Sequence, residues 1–312
     1  MKKIVILAIV ACAFPLAMHA LDQGFYISFA TRVLIYAMAA ASLNLVLGYG
    51  GMVSFGHAAF FGAGAYIVGI LTFEGVTSAW ITWPAAVAVA ALAALVIGAL
   101  SLRTRGVYFI MITLAFAQMM YYIFVSMKAY GGDDGLSLPR RSSLGFGVDL
   151  RNDFAWYYVV LFLLMIILYL LHRLVHSRFG RVIEAIRENE TRAAAIGYPV
   201  YRYRLACFVI SGAIAGLAGA LIANQTSYVS PAILHWVQSG TLMIMVILGG
   251  VGRFWGGPVG AAVLLTLEEV FSGSKLLGPY ALHWQLPVGA ILLAVVLFAP
   301  RGIAGAFAKR PQ

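Results

Sequence analysis

Charge is scarce in this chain. Only 10% of its 312 residues are Asp, Glu, Lys or Arg and 62% are hydrophobic, where soluble domains run at about 25% charged and about 45–50% apolar. That excludes a soluble globular domain and predicts an integral membrane protein. Acidic residues are scarcest, 11 against 21 Lys and Arg, for a net charge of +10. The excess does not indicate a nucleic-acid partner. The basic residues sit in short segments between apolar runs, as topology signals do. Cysteine is limited to Cys12 and Cys207, in or beside apolar runs, so a disulfide framework is excluded. Six scattered histidines show no Cys/His metal spacing. His172 and His176, four apart, read as a solvated interfacial pair rather than a metal site. Walker A, Gly-x-Ser-x-Gly and His-Glu-x-x-His sequences are all missing. ATP hydrolysis, other catalysis and a bound cofactor are therefore not expected of this chain.

What the sequence has in abundance is long apolar runs. Met1-Lys2-Lys3 followed by Ile4 to Ala17 resembles a signal peptide, but Met18 fits a cleavage site poorly, so an uncleaved first span is expected. Further spans are read at about Phe25–Leu47, to Phe73, Trp80–Leu102, Val107–Met127, Trp156–Leu171, Ala206–Ala223, Gly240–Gly249, Gly257–Phe271 and Trp284–Ala299. The expectation is an all-α polytopic bundle of about ten transmembrane helices forming one domain over 1–312. Some helices are too short to cross upright and must be bent, broken or partly buried. Trp80 and Trp83 read as interfacial anchors, and Arg32 as snorkelling or pairing with Asp22. The segment 128–155 has balanced charge and suits an external loop. Arg301, Lys309 and Arg310 place the C-terminus in the cytoplasm, with both termini inside.

The strongest charge bias lies in 172–205, with seven arginines against three glutamates. The positive-inside rule puts this loop in the cytoplasm. Asn189 is placed to cap a turn starting at Glu190, and Gly197 with Tyr198-Pro199 stops it. A solvated retention signal is the bland reading. The built-in helix favours a docking site for a cytoplasmic partner.

Polar residues inside the bundle are few: Asn44, Ser54, His57, Thr113, Gln118 and Ser211. Each serves as helix–helix glue or as a substrate contact. Ser54 and His57 gain weight because neighbouring glycines permit unwound backbone lining a cavity. The glycine-rich passages Leu47–Gly56 and Leu248–Gly257 look alike, and paired breaks of this kind point to a substrate path. Gly212, Gly216 and Ala220 form a close-packing face. Glu268 and Glu269 read as interfacial rather than as a proton relay.

Five stretches in order carry a family resemblance. They are Leu47-Gly48-Tyr49-Gly50-Gly51 through Ser54-Phe55-Gly56-His57-Ala58; Arg103-Thr104-Arg105-Gly106-Val107-Tyr108-Phe109 through Thr113-Leu114; Gly131-Gly132-Asp133-Asp134-Gly135-Leu136; Phe179-Gly180-Arg181 through Glu190 to Gly197; and Pro300-Arg301-Gly302. The chain is similar, over nearly its whole length, to the permease subunits of branched-chain amino-acid ABC importers, and most to the M-type subunit. The resemblance implies an inner-membrane importer that pairs with a homologous permease, two cytoplasmic ATP-binding subunits and a periplasmic solute-binding protein. It also implies a cytoplasmic coupling helix to the ATPases, carried by Ala185, Ile186, Arg187, Glu188, Asn189, Glu190, Ala193 and Gly197. The common importer signature is not literal, since Thr191-Arg192 separate Glu190 from Ala193. Urea, short amides and other small acids are the alternative cargoes. A stand-alone secondary transporter or channel is the alternative class, and it needs an ion-coupling residue in the bilayer that the sequence does not offer.

Overall fold

Apolar runs bounded by caps, glycine and proline fold as helices throughout the computed structural model, which describes residues 14–15, 24–145, 150–272, 285–299 and 302–306. The first span, apart from Phe14 and Pro15, lies outside the described residues, as do Asp22, His283, Trp284, Pro300-Arg301 and the basic C-terminus. The helices are α1 Gly24–Asn44, α2 His57–Phe73, α3 Ala79–Ser101, α4 Val107–Ser126, α5 Asp153–Val175, α6 Arg178–Glu188, α7 Glu190–Ala195, α8 Val200–Thr226, α9 Trp236–Gly249, α10 Gly256–Ser272, α11 Gln285–Phe298 and α12 Ile303–Ala306. A π-helical turn, Leu45–Tyr49, extends α1. Among the described residues, α1 with its π turn, α3, α4, α5 and α8 are long and apolar enough to cross a bilayer. The helices α2, α9 and Gln285–Val295 of α11 are apolar but shorter. The chain is thus an all-α membrane protein, with one small departure. Leu136–Ser137 (β1) pairs antiparallel with Tyr228–Val229 (β2).

The core is built on small residues. In a bilayer, helices associate by close packing and hydrogen bonding rather than by apolar burial from water. The expected stripe on α8 packs as its spacing demands. Gly212 faces the Cβ of Ala94, and Gly216 faces the Cβ of Ala90 and the carbonyl of Ala86. Gly219, on another face of the same helix, sits against the carbonyl of Phe61 on α2. Phe60, Phe208 and His57 fill the space below with edge-on ring contacts.

Two sequence expectations need correction. The α8 helix starts at Val200 rather than Ala206, so the end of the 172–205 loop belongs to a membrane helix. Charge made it read as loop. Yet Arg204 pairs through Nη1 with Glu190 (3.0 Å), and Tyr201 donates from its hydroxyl to the Ala99 carbonyl (2.9 Å). Trp80 keeps its exposed position, its indole N–H donating to the Leu144 carbonyl (2.9 Å). Trp83 does not. It is 9% exposed and packs on Trp156, with ring centroids 6.2 Å apart.

The connecting segments gather into two groups. At one end, Ser143 N–H donates to the Thr77 carbonyl (2.7 Å), Ala79 N–H to the Ser143 carbonyl (2.8 Å) and Leu138 N–H to the Ser227 carbonyl (2.9 Å). Segments 74–78, 127–145 and 227–235 therefore lie together. Segments 48–56, 102–106, 176–199 and 250–255 meet at the other end, where the basic residues concentrate.

Candidate functional site

The chain between α1 and α2 is unwound from Gly50 to Gly56, so α2 begins inside the bundle with its first residue, His57, fully buried. A helix start leaves amide hydrogens without intrahelical partners, and side chains from two other helices and the unwound segment supply acceptors. Ala58 N–H donates to Ser239 Oγ (2.7 Å), Gly56 N–H to Ser54 Oγ (3.1 Å) and Phe55 N–H to Thr113 Oγ1 (3.2 Å). Ser211 Oγ donates to the Ser42 carbonyl (2.5 Å) and lies 2.8 Å from His57 Nε2. Its one hydrogen is used on Ser42, so Nε2 must be the donor. His57 Nδ1 is left buried with no hydrogen-bond partner among the described residues. The predicted Ser54, His57, Thr113 and Ser211 are thereby brought into one cluster. Gln118 stands at its edge. It accepts from Trp236 N–H (3.4 Å), and the Trp236 ring lies 6.3 Å from that of Phe55.

Asn44 is placed elsewhere. Its Nδ2 donates to the Arg253 carbonyl (2.7 Å), and its Oδ1 accepts from Gly252 N–H (3.0 Å). The two glycine-rich passages are thus in contact. A Cβ at Gly48 would collide with Asn44 Oδ1 and the Gly252 backbone, which fixes glycine there by close approach.

The basic segment closes onto this contact. Ser177 caps α6, its Oγ accepting from Gly180 N–H (3.4 Å). Asn189 ends α6 and caps α7, its Oδ1 accepting from Arg192 N–H (2.8 Å), as the sequence predicts. Gly197 adopts φ +98°, the left-handed geometry of a helix stop. The α6 helix is strongly amphipathic. Val182, Ile186 and Ala193 of α7 are buried together against Val200 and Tyr203 of α8. From the same helix Arg187 donates through Nη1 to the Gly48 carbonyl, and its side chain covers Gly51 and Gly252. Glu190 makes two ion pairs, with Arg105 after α3 and Arg204 on α8, each 3.0 Å. Arg187 and Glu190 thus tie the segment to four other stretches of chain, while Ala185, Glu188 and Gly197 stay exposed beside Ala194, Ala195, Ile196 and Tyr198. Ile186 and Ala193, predicted for docking, face the bundle instead.

Sequence reasoning missed four participants. In the sequence Arg105 and Arg204 carry only the charge bias of a topology signal, and their shared partner is visible only in three dimensions. Ser42 and Ser239 gave no signal, being single serines in apolar helices.

The model for a family described as "Branched-chain amino acid transport system / permease component" matches residues 25–299. Among curated relatives, the high-affinity branched-chain amino acid transport system permease protein LivM of Salmonella typhimurium is 28% identical, covering 95% of this chain and 73% of that protein. LivM of Escherichia coli is also 28% identical, covering 96% and 74%. LivH of Salmonella typhimurium is 25% identical, covering 86% and 91%. No solved structure matches.

Proposed function

This chain belongs to the permease components of branched-chain amino-acid transport systems, and on that footing we propose that it is the M-type permease subunit of an ATP-driven importer. It carries branched-chain amino acids across the inner membrane. Separate subunits supply the energy: two cytoplasmic ATPases dock on the exposed side of α6 and α7, a homologous permease stands beside this one, and a periplasmic binding protein delivers the solute. Ten spans with both termini in the cytoplasm put the basic end of the bundle on the ATPase side.

The observation that carries this reading is Arg187. It stands on the segment a partner would push, and it holds the Gly48 carbonyl while covering Gly252. A displacement of α6 therefore pulls directly on both glycine turns. The first turn leads through the unwound 50–56 segment to the His57 cluster, which we assign to the substrate path. Binding energy at the docking face changes the path only through such a differential contact.

Reconstitution of the full importer tests this. Arg187→Ala is expected to leave ATP hydrolysis within about twofold of the unmodified protein while uptake of labelled leucine falls at least about tenfold, the equivalent of about 1.4 kcal/mol of lost coupling. Equal loss of hydrolysis and uptake would refute a coupling role. Uptake driven by an ion gradient without ATP would refute the importer reading.

A further inference from the structure

Beside the Arg187 contact lies a cavity of about 490 Å³, open towards the basic end. Arg181, Glu184 and His176 give it polar walls, and Tyr49, Val175 and Phe254 give it apolar ones. Arg181 and Glu184 stand three residues apart on α6 and so share a face. Neither enters an ion pair among the described residues. His176 stacks on His172, with centroids 4.2 Å apart, and its Nδ1 bonds the His172 carbonyl (2.8 Å). A carbonyl only accepts, so in the neutral ring Nε2 is left as an acceptor.

Two opposite, unpaired charges beside an apolar wall make a specific demand. A simple anion would be repelled by Glu184, and a simple cation by Arg181. A zwitterion with an apolar side chain meets all three surfaces. The guanidinium takes the α-carboxylate in its two-pronged geometry, the Glu184 carboxylate takes the α-ammonium and the apolar wall takes the side chain. The volume lies within the ordinary range for small-molecule sites.

We propose that this cavity is a second binding site for the transported class of amino acid, filled from the side where import ends, and that its occupancy slows import. This rests on the permease reading, which supplies both cargo and direction. The lining explains the effect. Tyr49 ends the π turn next to Gly48, Phe254 follows Gly252, and Arg181 and Glu184 ride on the same helix as Arg187. A bound amino acid bridges the elements that Arg187 joins. It therefore favours the joined state over any state in which α6 has moved.

The test uses the complete importer in phosphatidylcholine vesicles, preloaded with unlabelled leucine on the α6 side and supplied with labelled leucine on the other. Initial uptake is expected to fall as the preload rises. Arg181→Gln and Glu184→Gln are each expected to raise the half-inhibiting concentration about tenfold or more, as loss of a charged hydrogen bond implies, measured against each variant's own uptake into leucine-free vesicles. Val175→Trp, which fills the cavity and keeps both charges, should act likewise. In parallel, leucine should raise the thermal midpoint of the purified full chain, and Arg181→Gln should abolish that rise. Inhibition identical in all variants, or no midpoint shift, overturns the proposal. So does slowing that follows added phosphatidylethanolamine and ignores leucine, which would assign the cavity to a lipid headgroup. A leucine-dependent midpoint shift lost in Arg181→Gln, from a chain that supports no ATP-driven uptake, sinks the permease reading alone.

Discussion

Asn44 spans the greatest sequence distance of any side chain at the site, reaching Gly252, 208 positions away, and Arg253, 209 positions away. Replacing it by alanine leaves a part-buried N–H and a part-buried carbonyl without partners, at about 1–3 kcal/mol for each group left unsatisfied. The thermal midpoint of Asn44→Ala in detergent is expected to fall clearly, while Thr266→Ala, which loses an exposed hydroxyl bonded to its own helix, leaves it nearly unchanged. The two arginines on Glu190 differ in the same measurement. Arg105 has 75% of its side chain exposed and Arg204 only 18%. Arg105→Ala should cost at most about 1 kcal/mol, and Arg204→Ala more, because it strips Glu190 of its better-shielded partner. The Asn189 cap was readable in the sequence because its partner is three residues away. The partner of Asn44 was not, because nothing local distinguishes an asparagine that bridges two turns from one that glues two helices.

At the level of the helix, α8 shows both what spacing reveals and where charge misleads. Glycines and alanines at four-residue intervals announced a contact face, and Ala86, Ala90 and Ala94 on α3 form the matching stripe. That stripe carries the same signal in the sequence, hidden because alanine is common everywhere in this chain. Arg202 and Arg204 suggested a loop, yet the helix runs through them, since long side chains at a helix end reach polar partners without breaking the backbone. The start of α2 at His57 was foreshadowed by its glycines. Its dependence on Ser239 and Thr113 was not, because those residues come from other helices. Close packing sets a steep penalty on added atoms. A Cβ at Gly219 would overlap the Phe61 carbonyl, whereas among the described residues Gly24 has nothing within 4 Å. Gly219→Ala is expected to destabilise by about 1–3 kcal/mol and to reduce the monodisperse fraction on size exclusion. Gly24→Ala should match the unmodified protein.

Across the whole molecule, the connecting segments at each end are hydrogen-bonded or ion-paired to one another. Their sidedness is testable with a membrane-impermeant thiol reagent on single-cysteine variants. Thr77→Cys and Tyr228→Cys should react from one side of intact vesicles, and Thr104→Cys and Arg192→Cys only from the other; mixed accessibility would refute the arrangement. Span number was harder to read. Hydropathy marks where apolar runs lie, but whether a 14-residue helix such as α9 crosses, tilts or stops midway depends on its neighbours.

The joining of the 48 and 252 turns also bears on biosynthesis. A ribosome delivers Asn44 and Gly48 long before it makes Gly252 and Arg253, so the N-terminal helices must wait in the bilayer with those polar groups exposed or temporarily satisfied. Truncated chains ending before residue 250 should therefore insert yet stay susceptible to proteolysis, and chains extended past 255 should become resistant in a single step.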